Sequence, residues 1–146
     1  MAEGSIEIRI ARRAEEVFAY LSDLERAIEW VPDLLTMKKL TDGPIGVGTR
    51  YVETIKQGGS TGSAQLEVTE YEPNRVFAHK GEGGPVKFTG RFTVRPDGDE
   101  SVVVHDYTFE LSGLAKLMGP VLVKWLKRNS EIGAANLKRV LESGSA

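Results

Sequence analysis

The order of secondary-structure patterns along the chain constrains its fold more than any single motif does. An alternating segment at 6–10 and two short helical patterns come first, six strand-like segments follow, and an amphipathic pattern over about 114–141 closes the chain. Turns, and no helices, separate the six later strand-like segments, which predicts antiparallel pairing. Such a sheet buries one face against a helix. We therefore predict an α+β fold in which a curved seven-stranded antiparallel sheet wraps around a long C-terminal helix.

The boundaries of the predicted elements follow from periodicity and turn residues. Two short helices are expected between the first two strands, the first over 14–21 and the second capped by Ser22-Asp23 and ended by Pro32. Pro120 is expected to kink or break the beginning of the last helix. The GGSTG segment at 58–62 and Asp97-Gly98 are expected to form turns. Strands two to seven are predicted at 35–40, 49–57, 63–71, 76–80, 87–95 and 101–111.

Composition sets the broad class of the protein. The 146 residues suit a single domain spanning 1–146, with 40% hydrophobic and 27% charged residues. A formal net charge of −2 argues against nucleic-acid binding. The absence of cysteine excludes disulfides, thiol nucleophiles and thiolate metal sites. Because no run is apolar enough for a membrane span or a signal peptide, we expect no integral membrane association and a cytoplasmic location.

Several segments carry a resemblance to a known superfamily. They are the opening IEIRIARRAEEVFAYLSDLERAIEWVPDL, the loop IGVGTRY, the turn VTEYEPNRV and the ending FELSGLAKLMGPVLVKWLKRNSEIGAANLKRVLES. Together they resemble the helix-grip fold of the START and birch-pollen-allergen-like superfamily (SRPBCC), in its polyketide cyclase/dehydrase and lipid-transport branch. The resemblance implies a cavity between the sheet and the C-terminal helix. One departure is Arg12-Arg13, which stands where a Ser or Pro commonly begins the first helix.

His105 and Tyr107 are the candidate catalytic residues. They alternate with Asp106 on the last strand and share its more apolar face, so both are expected to face the interior. An imidazole and a phenol there could polarise a carbonyl or relay a proton. The alternative is a histidine that is simply satisfied within or beside the core. His79, near a predicted hairpin end, is expected to be exposed.

The resemblance also implies the ligand-contacting residues. The end of the second short helix, strands six and seven and the last helix should converge on the cavity. Gly90, which lies between two inward phenylalanines, either bends its strand or leaves space. The alternative is that all these apolar side chains fill the core. The predicted contacts are Trp30, Phe88, Gly90, Phe92, Tyr107, Met118, Val121 and Trp125.

Charged residues on the central strands give less information. Glu67 and Arg91 oppose apolar neighbours and should point outward. The facing of the third strand is left open, because Tyr51, Glu53 and Ile55 alternate with a mixed set. If the face of Glu53 is inward, Glu53 is a costly buried carboxylate. Two histidines without metal-ligand spacing predict no metal site, and the glycine motifs match no nucleotide-binding pattern.

The sequence is compatible with three functions from different classes. The first is a binding or carrier protein for a small hydrophobic molecule such as a lipid, a polyketide-like compound or an isoprenoid. The second is a polyketide cyclase/aromatase or dehydratase that uses His105 and Tyr107 as acid and base, with no cofactor. The third is an interaction module that forms a homodimer through an edge strand or uses its outer sheet face. The basic residues of the last helix are expected to be a solvated face.

Overall fold

The computed structural model describes residues 2–57 and 59–144, apart from the side chain of Gln57. Gly58, in the predicted GGSTG turn, lies outside the described residues. The elements in chain order are β1 Ala2–Ile10, α1 Ala14–Leu21, a first 3-10 helix Leu24–Glu29, β2 Leu34–Lys39, β3 Arg50–Gln57, β4 Ser60–Glu72, β5 Val76–Gly83, β6 Val86–Asp97, β7 Glu100–Leu111, a second 3-10 helix Gly113–Met118, and α2 Gly119–Glu142.

The seven strands form one antiparallel sheet in the order β1-β7-β6-β5-β4-β3-β2. Every neighbouring pair is antiparallel, so the α+β helix-grip architecture predicted from the sequence is confirmed. The hairpin at Asp97-Gly98 joins β6 to β7 in register, with Asp97 opposite Glu100. Several strands extend beyond their predicted ends, and β5 continues to Gly83.

The core lies between the inner face of the sheet and the helices. From the sheet it takes Ile10, Val94 and Val103, and from α2 it takes Leu137 and Leu141, all of which are at most 2% exposed. Helix α1 contributes its predicted apolar face, Ala14, Val17, Phe18 and Leu21. Burial of such side chains is the main favourable term that holds the layers together.

Two hydrogen bonds join the end of α2 to the residues that precede α1. The Nε atom of Arg12 donates to the carbonyl of Leu141 at 2.8 Å, and the Ala11 amide donates to the Glu142 carboxylate at 2.8 Å. The bond from Arg12 satisfies a C-terminal carbonyl that the helix itself leaves unpaired. Arg13, at the N-cap of α1, makes no side-chain cap bond. The Arg12-Arg13 pair, which departs from the family pattern, therefore includes one residue that anchors α2.

Only the C-terminal half of α2 is packed. Its buried residues are Gly133, Ala134, Leu137 and Leu141. Pro120 lies in the first turn, as expected of a residue that begins or breaks a helix, and the preceding segment is 3-10 helix. The apolar face predicted over 114–141 is uncovered at its start, where Leu114, Leu117, Met118 and Val121 are 84%, 81%, 63% and 68% exposed. No helix in the described part of the chain is long and apolar enough to cross a membrane.

Candidate functional site

The inner face of the central strands is covered at one end and open at the other. Near the helices, Phe77 on β5, Phe92 on β6 and Val103 on β7 are at most 3% exposed. Further along the same face, towards the β5–β6 turn, His79 and Phe88 are only half-buried. On β7, His105 and Phe109 are likewise half-buried. The helices therefore cover the second half of the inner face only partly, and we call this partly uncovered region the cleft.

Aromatic rings form a continuous layer from the core into this cleft. The rings of Phe92 and His105 stack in parallel, with centroids 4.1 Å apart and 4° between their planes. Trp30 meets Phe92 edge-on at 6.0 Å, on the core side. Such contacts stabilise a fixed arrangement of rings beyond the area they bury. On the cleft side the layer continues through Tyr107, Phe109, Phe88 and His79 at centroid distances of 5.5 to 6.4 Å.

His79 and His105 meet above Gly90. A Cβ atom built on Gly90 would overlap Cε1 of His79 and would lie 3.3 Å from Nε2 of His105. Only glycine leaves room for both rings at this position. The expectation that His79 is exposed was wrong, because β5 continues past it and its side chain lies on the inner face. The sequence does indicate this facing, because His79 is two residues from the buried Phe77 and residues two apart on a strand share a face.

Burial keeps both imidazoles neutral. Burial, with a smaller contribution from the nearby His105, lowers the pKa of His79 to about 4. The pKa of His105 is also lowered to about 4 by burial, against a smaller opposing effect of Asp106. Nδ1 of His79 lies 3.3 Å from the carbonyl oxygen of Gly90. Because a carbonyl only accepts, this contact requires the proton on Nδ1 and leaves Nε2 as a hydrogen-bond acceptor.

Tyr107 directs its hydroxyl away from the histidine pair. A Cβ atom built on Gly4 of the edge strand β1 would overlap the Tyr107 hydroxyl oxygen. The phenol ring therefore lies over Gly4, and the residue is only 8% exposed. Its ring centroid is 5.5 Å from that of His105. The two predicted catalytic residues are thus neighbours on one face, with their polar ends pointing to different parts of it.

The structure shows which way the third strand faces. Tyr51 is fully buried in the core, so Glu53 and Ile55 share its inner face. Glu53 lies between Met37 on β2 and Ala64 on β4. Burial raises the pKa of its carboxyl from 4.5 to about 7. The sequence alone does not decide which way Glu53 faces, because the opposite face of β3 also carries an apolar side chain.

The predicted ligand contacts are only partly brought together. Trp30 and Phe92 are buried at the inner end of the cleft, and Phe88 and Gly90 form part of its floor. Trp125 is half-buried on α2. The predicted contacts Met118 and Val121 are exposed on the uncovered segment that precedes and begins α2.

The outer face of the sheet is polar. Arg91 points outward, as expected, and pairs with Glu70 at 2.9 Å across the intervening strand. Depressions of about 840 Å³ and 470 Å³ lie on this face, the larger one lined by charged side chains such as Glu67 and Lys80. Among the described residues, no three His, Asp or Glu side chains meet in a way that would hold a metal ion. The outer face is therefore polar, whereas the aromatic side chains of the central strands lie on the inner face.

Comparison with known proteins assigns the chain to a family. The chain belongs to the polyketide cyclase/dehydrase and lipid transport family, whose model matches residues 1–142. The comparison with curated protein sequences finds no match. The family description covers both enzymes and carriers, so membership points to a small hydrophobic ligand without specifying it.

Solved structures share the fold at low sequence identity. TTHA0849 from Thermus thermophilus is 20% identical with a TM-score of 0.83, over 99% of this chain and 100% of that one. A START superfamily protein from Mycobacterium smegmatis is 22% identical with a TM-score of 0.82, over 97% of each chain. The Zhui aromatase/cyclase from Streptomyces sp. R1128 is 16% identical with a TM-score of 0.73, over 96% of this chain and 95% of that one. At these identities the likeness establishes the fold alone.

Proposed function

We propose that the protein binds and carries a small hydrophobic molecule in the cleft on the inner face of its sheet. The observation that carries the proposal is the half-buried aromatic floor formed by His79, Phe88, His105 and Phe109, which continues a fully buried core. Apolar side chains left partly uncovered on a concave surface are what ligand sites present.

Binding would draw mainly on apolar burial. Each 100 Å² of apolar surface removed from water contributes about 2.5 kcal/mol before the costs of association. The floor supplies few polar groups, and the two imidazoles that it does supply are neutral near pH 7. Neutral rings are cheaper to cover with an apolar ligand than charged ones, because no ion has to leave water. They also offer donors and acceptors that would orient one polar end of the ligand.

The uncovered segment at 113–121 would supply the opposite wall. It follows directly from β7, and the amide of Ser112 donates to the carbonyl of Pro85 at 2.9 Å, which ties its start to the β5–β6 turn. The exposed Leu117, Met118 and Val121 therefore belong to a segment that begins at the open end of the cleft. A ligand that covers these side chains would remove their apolar surface from water, which favours binding.

The proposal is tested with an apolar fluorescent probe, N-phenyl-1-naphthylamine, and with a pair of variants on adjacent residues. Phe109 is on the inner face and Thr108 on the outer face, where its hydroxyl bonds Thr89. Phe109→Asp places a charge in the cleft and should weaken probe binding at least tenfold, whereas Thr108→Asp should leave it unchanged. Equal effects of the two variants, or no saturable binding by the wild type, would refute the cleft as the site. Native mass spectrometry of the purified protein would identify any molecule that copurifies.

A second candidate is a cofactor-independent polyketide cyclase/aromatase or dehydratase in the same cleft. The meeting of two neutral imidazoles above Gly90 favours it, because an unprotonated ring nitrogen can act as a general base near neutral pH. Turnover would then depend on His105 as the base and on Tyr107 as a hydrogen-bond donor. His105→Phe and Tyr107→Phe should abolish turnover of an identified substrate, whereas a carrier would keep most of its apolar binding. Full activity of His105→Phe would exclude His105 as the base.

A further inference from the structure

Glu53 places a carboxyl on the inner face of the sheet, and no contact within the described protein accounts for it. It lies on the same face of β3 as the buried Tyr51, and its neighbours across the sheet are Met37 on one side and Ala64 on the other. Its carboxyl has no hydrogen-bonding or charged partner among residues 2–57 and 59–144. Glu53 is half-buried, and a carboxylate that is partly removed from water is normally paired, because an unpaired one is costly to desolvate.

Groups that could have paired with Glu53 are engaged elsewhere. Lys39, the nearest cation on the inner face of β2, bonds the Gly43 carbonyl through its ammonium group. Arg50 and Lys56 are each three residues from Glu53 along β3, so both lie on the outer face, where they are exposed. A structural ion pair therefore does not account for the carboxyl.

On the β4 side of Glu53, the row of residues across the sheet carries only small side chains. Ala64 is the direct neighbour of Glu53 on β4, and Gly83 follows on β5 in the same row across the sheet. A Cβ atom on Gly83 would lie 2.8 Å from that of Ala64, so the backbones approach closely here. A molecule on the aromatic floor could extend along this low row until its end reaches the carboxyl.

The histidine pair and Glu53 lie at separate ends of the inner face. Glu53 on β3 lies in the same row across the sheet as Gly83, which is two strands away on β5. His79 is four residues from Gly83 along β5. At about 4.8 Å per strand and about 3.3 Å per residue, the Cα atoms of Glu53 and His79 are about 16 Å apart on a flat sheet. The apolar side chains between them therefore separate two polar groups, His79 at one end and Glu53 at the other.

We propose that Glu53 is a second polar contact of the cleft, and that the ligand is an elongated amphiphile whose end group at Glu53 donates a hydrogen bond, as an ammonium or hydroxyl group does. This inference rests on the proposed binding function and narrows the ligand class. A carboxylate accepts hydrogen bonds and favours a cation, whereas it disfavours another carboxylate. An ionised Glu53 therefore disfavours a fatty acid that enters with its carboxylate towards it, because the two negative charges repel each other.

The test uses three probes with one chain length, decylamine, 1-decanol and decanoate, each below its micelle concentration at pH 8. Calorimetric titration of the wild type should give affinity for decylamine at least tenfold higher than for decanoate, the factor expected for a hydrogen bond to a charged group. Glu53→Leu removes the acceptor and should reduce this ratio to about one while leaving apolar binding in place. Glu82→Gln, on the exposed outer side of β5, is the matched control and should keep the wild-type ratio.

The outcomes separate this inference from the proposed function. Equal wild-type affinity for all three probes, abolished in each case by Phe109→Asp, would overturn the role of Glu53 and leave the cleft as a binding site. A preference for decylamine that survives Glu53→Leu would overturn it as well. Absence of saturable binding by every probe would overturn both proposals.

Discussion

Replacing Glu53 with glutamine should stabilise the protein in alkaline solution and have little effect in acid. Glutamine has nearly the shape of glutamate but carries no charge, so the variant removes only the cost of ionising a carboxyl in the cleft. Burial alone raises the pKa of this carboxyl from 4.5 to about 7 in the folded protein. The carboxyl keeps the lower value when the chain unfolds and its side chain returns to water.

The sign and size of the effect follow from linkage. A folded-state pKa above the unfolded one means that the folded protein holds the proton more tightly, so stability is lost as pH rises from 4.5 towards 7. At about 1.4 kcal/mol per pH unit, the penalty is about 0.8 kcal/mol at pH 5 and about 3 kcal/mol at pH 8. Because the carboxyl is partly exposed, about 2 kcal/mol is a realistic gain for the variant at pH 8.

Urea denaturation of the wild type and of Glu53→Gln at pH 5 and pH 8 measures this difference directly. The gain in the free energy of unfolding should grow by about 1–2 kcal/mol between the two conditions. Glu82→Gln serves as the control, since Glu82 is exposed and its substitution should stay within about 0.5 kcal/mol at both pH values. A gain at Glu53 that is the same at pH 5 and pH 8 would refute the burial of an ionisable carboxyl on the inner face.

Other consequences of the cleft can be measured independently. In NMR titrations the imidazoles of His79 and His105 should remain neutral down to about pH 5, and titration near pH 6.5 would contradict their burial. The free energy of unfolding should fall as pH drops from 6.5 towards 4, because the histidines of the unfolded chain take up protons first. Gly90→Ala should cost about 1–3 kcal/mol by displacing the His79 ring, whereas Gly46→Ala, with nothing within 4 Å of its added Cβ atom, should be near neutral in the same denaturation assay. Leu117→Ser should leave the free energy of unfolding within about 0.5 kcal/mol of the wild type and weaken probe binding severalfold; unchanged binding would remove this segment from the proposed cleft wall.

The fold was predictable because its signals are local and repeat consistently. Period-2 alternation in β1, β4, β6 and β7 marks one apolar face in each strand, and the turns between them require antiparallel order. Strand β3 was ambiguous because its inner face mixes Tyr51 and Ile55 with Glu53, while its outer face includes Val52. Only the register with β4, where Tyr51 faces the buried Leu66, identifies the inner face.

The cleft was less predictable, because burial depends on which parts of the sheet the helices reach. The apolar pattern of α2 is nearly uniform, yet Leu137 is fully buried and Val121 is 68% exposed. The later part of α2 packs beside Pro32 at Gly133, where an added Cβ atom would make an ordinary contact at 3.4 Å. Periodicity gives the direction of a side chain and cannot give the distance to the opposing layer.

The geometry of the polar groups supports the proposed binding role of the cleft over the proposed acid–base chemistry. General acid–base catalysis requires proton donor and acceptor within about 3 Å of the reacting atoms, directly or through one water. The Cα atoms of Glu53 and His79 are about 16 Å apart along the sheet, a spacing that suits the two ends of one long ligand better than a single reacting centre. Tyr107 places its hydroxyl over Gly4 and away from the imidazoles above Gly90. A single ligand position that uses the whole floor is therefore better suited to retaining a molecule than to transforming it at one atom.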